Sequence, residues 1–285
     1  MTKRTLLFGS SGYIGSEFAR QLGGAMAAPS HNKLKSYKDV FDAVESANPS
    51  CVINAAGYTG KPNVDACEAQ KDKCLQGNII LPLWIAQACE ALKKPFAHVS
   101  SGCIYNGHNK AYTEIDPPDF SFVQDNCSFY SGTKAQSEAM LSEYGCYIWR
   151  LRIPFNNENN PRNFLTKMLS YSKILNLPNS VSHREEYVTA CLKTLALQIP
   201  KGIYNVTNLG HTDARTVLEL FKKHHPALES LIDSKQYFES VEEFMTIAKA
   251  ARSNCVLDSS KLASFGIQMR PVDEAIEDAV IKYQL

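Results

Sequence analysis

The chain has 285 residues, 44% hydrophobic and 21% charged, with 30 basic against 29 acidic side chains and a net charge of +1. That is ample length to bury a core unaided, in one large domain or two modest ones, and the even charge argues against a nucleic-acid groove or an acidic tail. Nine cysteines, an odd count with no CxxC pair, read as free thiols in a reducing compartment rather than a disulfide framework.

In chain order, RTLLFGSSGYIGSEFARQL reads as a short buried strand, a glycine turn and an amphipathic helix. Its apolar run is too short for a signal peptide. GGAMAAPS follows as a second short strand. SYKDVFDAVESANP has helical spacing, with Val40, Phe41 and Val44 on one side. SCVINAAG is an apolar strand ending in small residues. LPLWIAQACEALKK is a helix with Pro82 in its first turn, where proline is tolerated. The whole apolar stretch NIILPLWIAQACEAL is too short and interrupted to span a bilayer. PFAHVSSG is a strand, SGTKAQSEAMLSEYG a helix stopped at Gly145, and CYIWRLRI another strand.

Strands alternating with helices predict an α/β fold, a doubly wound parallel sheet of the Rossmann type. From Pro154 the pattern weakens into the polar PFNNENNPRNF, so a smaller substrate-binding part is placed at 154–285 and the nucleotide-binding domain at 1–153. GIYNVTN looks like a strand that returns to the main sheet. A soluble cytoplasmic protein, without membrane or nucleic-acid partners, is expected.

Three motifs carry chemistry. Gly9, Gly12 and Gly15, with Tyr13 and Ile14 between, follow a strand and open a helix. There a bare backbone approaches a pyrophosphate and the helix N-terminus attracts the anion. The second strand region has no acidic residue before Asp39 to hold a ribose diol. It has Ser30, Asn32, Lys33 and Lys35, which suit a 2′-phosphate or form a solvated loop. NADPH is therefore the expected cofactor, with NADH possible. Tyr130 and Lys134, four apart at a helix start, share one face. An ammonium there is expected to lower a phenol from its ordinary value near 10 and make it a general acid for carbonyl reduction. No His/Cys/Glu spacing reads as a metal site.

Taken together, the glycine turn, NAAG after the third strand, Asn78, a serine at the fourth strand end and YxxxK resemble the extended short-chain dehydrogenase/reductase family. That resemblance implies that Ser101 orients a carbonyl, Tyr130 donates a proton and Lys134 holds the nicotinamide ribose. It also implies that Asn54, Ala55, Ala56, Gly57 and Asn78 line the cofactor. NAAGYTGKPNVDACE, SSGCIYNG, SFYSGTKA, NPRNFLTKMLSYSKI, LPNSVS, GIYNVTN and ARSNCVLDSSKL occur in that order. They are similar to the epimerase–reductases that finish UDP-L-rhamnose synthesis. The dTDP-4-dehydrorhamnose reductases and GDP-fucose synthases are more distant.

The closer likeness implies conversion of UDP-4-keto-6-deoxy-glucose by 3,5-epimerisation and 4-keto reduction. Cys103 and Lys167 would be the proton-exchanging pair, and the substrate a UDP- or dTDP-linked sugar. Thr59, Asn63, Arg162, Asn163, Asn179 and Arg252 would bind it, Arg252 at the diphosphate. A homodimer built on sheet-flanking helices is expected. The segment NSVSHREEYVTACL departs from the plant-type pattern. Two other readings stay open: a reductase acting on a pre-epimerised sugar, which needs neither Cys103 nor Lys167, and a regulatory subunit that binds NADP without turnover.

Overall fold

The structure, a computed structural model, describes residues 4–29 and 34–285. Strands β1 (Thr5–Phe8), β2 (Met26–Ala27), β3 (Cys51–Asn54) and β4 (Phe96–Ser101) alternate with helices α1 (Tyr13–Leu22), α2 (Tyr37–Ala47), α3 (Asp65–Ala69), α4 (Lys71–Leu75) and α5 (Leu81–Ala91). A short strand β5 (Gly107–Tyr112), helix α6 (Phe129–Ser142) and strand β6 (Tyr147–Leu151) follow. Beyond them lie β7 (Pro154–Phe155), α7 (Phe164–Ser170), β8 (Lys173–Ile174), β9 (Ser182–His183), α8 (Arg184–Ala196), β10 (Gly202–Asn205) and α9 (Ala214–His224).

Six strands form one sheet in the order β10-β6-β4-β3-β1-β2, every neighbouring pair parallel. A parallel sheet is buried on both faces, so its strands read as apolar runs whose alternate residues face different helices. Leu7, Ile53, Ala97, Trp149 and Tyr204 pack in one cluster with Phe18 of α1 and Tyr187, Val188 and Cys191 of α8. Leu6, Phe8, Val52, Phe96 and Ile148 pack on the other side with α2, α5 and α6 through Val40, Val44, Ile85, Ala86 and Leu141. β10 pairs with β6 from Gly202↔Tyr147 to Asn205↔Arg150, so a strand from beyond residue 200 completes the main sheet. A third cluster, including Phe155, Leu165, Val217, Phe221 and Ile276, gives the later segments a core of their own.

One helix differs from its sequence reading. Pro82 stands in the first turn of α5, as read, but α5 does not begin afresh. α4 runs into a π-helical turn, Gln76–Ile80, and on into α5, with the Leu81 N–H bonded five residues back to Gln76. A proline ring collides with the carbonyl four residues before it and supplies no N–H. The wider turn accommodates Pro82 without ending the helix. It also carries Asn78 inward, toward α6. Among the described residues no helix is long and apolar enough to cross a membrane.

Candidate active site

Two glycine-bearing strand ends meet at the carboxyl edge of β1 and β3. Gly9 has φ +80°, and a Cβ there would lie 2.4 Å from the Ala56 nitrogen. A Cβ on Gly15 would lie 1.9 Å from the Gly9 carbonyl oxygen. Gly12 caps α1 with ordinary extended dihedrals and no side-chain cap, and the first turn of α1 has no acidic residue. By contrast, α2, α6, α7 and α9 each carry a capping side chain. The N–H groups opening α1 are therefore free of a side-chain acceptor, the arrangement that attracts a phosphate. A cavity of ≈ 550 Å³ lies beside this turn, lined by Leu34, Ala56, Gly57, Tyr58 and residues of α4 and the π-helical turn. These residues fit the phosphate and nucleoside parts of a dinucleotide. Gly15→Ala is expected to weaken dinucleotide binding by about tenfold or more, since overpacking costs about 1–3 kcal/mol. Calorimetric titration checks this, and wild-type affinity in the variant would count against the close approach.

The structure shows where the side chains of several cofactor candidates are spent. Asn54 is fully buried; its Oδ1 accepts from the Ala56 N–H at 2.9 Å and its Nδ2 meets His98 Nδ1 at 3.1 Å. It shapes the Ala55-Ala56-Gly57 turn instead of facing a ligand. Asn78 is likewise spent inside, accepting from the Tyr58 N–H (2.7 Å) and donating to the Tyr58 carbonyl (2.9 Å) and Thr133 Oγ1 (3.1 Å). It links the π-helical turn to α6. Ile14 packs into the core beneath α1. The Tyr13 hydroxyl donates to Asn156 Oδ1 at 2.8 Å, and burial raises its phenol. Ser30, Asn32 and Lys33 lie outside the described residues. Lys35 is described, and its backbone N–H donates to Asp39 in the turn that caps α2.

Ser101, Cys103, Tyr130 and Lys134 converge at the end of β4 and the start of α6. β4 ends at Ser101, and a single 3₁₀ turn, Gly102–Ile104, places Cys103 directly after it. The Cys103 N–H donates to Ser101 Oγ at 3.3 Å. Tyr130 and Lys134 come from the first turns of α6, whose cap is Ser128. Ser101 is near enough to both side chains to favour the ionised forms of the Tyr130 phenol and the Cys103 thiol, against the burial that opposes them. Lys134 is buried, and its ammonium donates to the Val99 carbonyl at 3.2 Å.

The expectation that Lys134 pulls the phenol toward neutrality is not met. Burial dominates and holds Tyr130 well above its ordinary value, with only Ser101 opposing. Burial also lowers Lys134 and raises Cys103. In this site the phenol and the thiol both hold their protons at neutral pH.

A second cluster is built by α7 and the loops after β3. Arg162 donates to Thr59 Oγ1 at 2.9 Å and to the Gly60 carbonyl at 2.8 Å. Burial, then the charges of Arg162 and Arg252, lower Lys167. Asn63 Oδ1 accepts from the Asp65 N–H at 2.9 Å, starting α3. Arg252 does not stand free for a diphosphate: it pairs with Asp65 at 2.9 Å and donates to the Ala250 carbonyl at 2.5 Å. Asn163 is fully buried; it caps α7 and donates to the Asn156 and Glu158 carbonyls, so its side chain folds the loop. Asn179 accepts from buried Arg152 and from the Cys255 N–H.

Arg184 was not read from sequence. Its Nε donates to the Tyr13 carbonyl at 2.8 Å and its Nη2 to Ser16 Oγ at 2.9 Å, with Glu158 on Nη1 at 2.8 Å. It fastens α8 to the first turn of α1 and brings a cation to the uncapped end. Nothing in HREEY marks this, since the partner lies 171 residues away. Among the described residues no group of three or more His, Cys, Asp or Glu is placed to hold a metal.

Residues 3–285 match the family described as the RmlD substrate binding domain. A trifunctional UDP-glucose 4,6-dehydratase/UDP-4-keto-6-deoxy-D-glucose 3,5-epimerase/UDP-4-keto-L-rhamnose-reductase of Arabidopsis thaliana is 32% identical over 98% of this chain, which spans only 41% of that protein. A bifunctional dTDP-4-dehydrorhamnose 3,5-epimerase/dTDP-4-dehydrorhamnose reductase of the same plant is 30% identical, covering 95% of this chain and 90% of its own. Among solved structures, the L780 UDP-rhamnose synthase of Acanthamoeba polyphaga mimivirus superposes with a TM-score of 0.89 at 27% identity, covering 99% of this chain and 100% of that one. A dTDP-4-dehydrorhamnose reductase of Bacillus anthracis in complex with NADP, 20% identical with a TM-score of 0.78 over 99% of this chain and 100% of its own, shares the fold.

Proposed function

Because this chain belongs to the RmlD substrate-binding-domain family, we propose that it is an NADPH-dependent nucleotide-sugar reductase of rhamnose synthesis that also epimerises its substrate. The proposed substrate is UDP-4-keto-6-deoxy-D-glucose, inverted at C3 and C5 and then reduced at C4. The observation that carries this reading is Cys103 seated one short turn from Ser101, its N–H on Ser101 Oγ and its charge felt by Tyr130. A plain reductase needs the hydroxyls and not the thiol.

The site residues divide the work by their protonation. A 4-ketone makes the protons on C3 and C5 acidic. The hydroxyls of Ser101 and Tyr130 donate to the C4 oxygen and stabilise the enolate that forms when either proton leaves. Lys167, with its ammonium disfavoured by burial and by two arginines, is the better proton acceptor. Cys103, which burial keeps protonated, is the better donor to the opposite face. Inversion requires the two on opposite faces of the sugar, because the proton leaves from one face and returns on the other. NADPH, when bound, supplies the hydride for reduction. Tyr130 then gives its proton to the C4 oxygen, and Lys134 holds the charge of the site beneath it.

The test is proton exchange. With UDP-4-keto-6-deoxy-D-glucose in D2O and no NADPH, the C3 and C5 proton signals should both disappear from the NMR spectrum. Cys103→Ser should slow inversion at C3 and C5, read from the configuration of the product, by about 10²-fold or more while still permitting reduction of a pre-epimerised sugar. No wash-out, with NADPH consumed on a pre-epimerised 4-keto-rhamnose nucleotide, would leave a reductase alone.

A further inference from the structure

Two motifs that the reaction does not use directly, LPNS and ARSN, converge on one buried cation. Arg152 follows the last residue of β6 and is 5% exposed. Its Nη2 donates to Asn179 Oδ1 of LPNS and to the Ser253 carbonyl of ARSN at 2.6 Å. Asn179 is itself held by Asn254 Oδ1 at 3.1 Å and by the Leu177 carbonyl at 3.1 Å. The guanidinium is thus fixed from two sides by neutral partners. No carboxylate of the described residues pairs with it, and its Nε–H is buried without an acceptor among them. A buried, unpaired cation is costly and persists only where something repays it.

Register says where this charge sits. Ser101 of β4 pairs with Leu151 of β6, so the residues that follow, Gly102-Cys103 and Arg152, leave adjacent strand ends side by side. Cys103 is 6% exposed. Ser101, Arg152, Ser131 and Lys134 are the groups that favour its thiolate. Of the two cations, Lys134 is spent on the Val99 carbonyl. The Arg152 charge favours the thiolate more than the Lys134 charge does, against the burial that opposes it.

We propose that Arg152 is a positioning residue whose fixed charge takes up the negative charge left on the Cys103 sulfur when the thiol gives its proton to the sugar. In that step the S–H bond breaks and a C–H bond forms from the enolate π electrons. The C4 carbonyl is restored, and the S–H electron pair stays on sulfur as a thiolate. A buried thiolate needs a cation already in place, because reorganising one at each turnover would add to the barrier. This role rests on the reading of Cys103 as the proton donor.

The experiment titrates the thiol without substrate. The full chain is alkylated with iodoacetamide across a pH series, and modification at Cys103 is followed by peptide mass spectrometry. In Arg152→Gln, or in Arg152→Met, the midpoint for Cys103 should rise by about one pH unit or more, in protein that still binds NADPH. Arg152→Lys, which keeps the charge and loses the fork, should stay within about half a unit of wild type. An unmoved midpoint in a folded neutral variant overturns the proposal, as does a full upward shift in the lysine variant. The stereochemistry of turnover by Cys103→Ser tests the underlying reading separately. If inversion at C3 and C5 survived in that variant, the donor assignment would fall while the measured coupling between Arg152 and the thiol stood.

Discussion

Tyr130→Phe is expected to lower kcat/KM for 4-keto reduction by about 10²- to 10⁴-fold while NADPH affinity stays within a few-fold of wild type. The phenol is the one hydroxyl at the site that burial keeps firmly protonated and that is also near Ser101. Removing it takes away the proton donor and leaves Ser101 and Lys134 in place. That loss corresponds to about 3–5 kcal/mol of transition-state stabilisation. The pH profile gives a second signature. With its ionisation raised, Tyr130 holds its proton through the neutral range and loses it only at high pH, so the wild-type rate falls on the alkaline side. The phenylalanine variant should lack that limb. NADPH oxidation followed by absorbance measures both. A variant retaining more than a tenth of the rate would move the donor role to Ser101 or to water.

The largest stability effect is expected at Glu138→Ala, about 3–5 kcal/mol. Arg150 is 1% exposed, and its guanidinium grips Glu138 through Nε at 3.1 Å and Nη2 at 2.6 Å. The carboxylate also accepts from Ser100 Oγ at 3.2 Å. Losing Glu138 leaves a buried cation with only Asn205 Oδ1 and the Thr113 carbonyl as neutral acceptors, at 3.3 and 3.4 Å. The pair joins α6, which carries Tyr130 and Lys134, to the strand beside β4. Urea unfolding at neutral pH reads the loss directly. A change below about 1 kcal/mol would mean that water reaches Arg150 once the carboxylate is gone.

Local patterning explains what could be read in advance. β1, β3, β4 and β6 are short apolar runs bounded by turn residues, so their existence and parallel arrangement follow from sequence. Ser101, Tyr130 and Lys134 were legible because their spacing within one strand end and one helix start is itself the geometry. The asparagines were harder. Asn54, Asn78, Asn163 and Asn179 stand in motifs near the site, and a sequence does not say whether an amide faces a ligand or the protein. Their partners, such as Thr133 for Asn78 and Arg152 for Asn179, come from distant segments. Arg152 itself looked like one more alternating residue of WRLRI. The π-helical turn was hidden because proline at a helix start and proline beyond a widened turn look alike in sequence.

The position of β10 has a consequence for how the chain is made. β6 lies between β4 and β10, yet β10 is synthesised some fifty residues after it. At about 5–20 residues per second, a nascent chain spends roughly 3–10 s with β6 complete and its outer edge unpaired. An open strand edge invites pairing with another chain, and Arg150 waits through the same interval for Asn205. Neighbouring ribosomes on one message would hold many such edges close together. The interval between residues 151 and 205 is therefore when this protein most needs shielding by a chaperone.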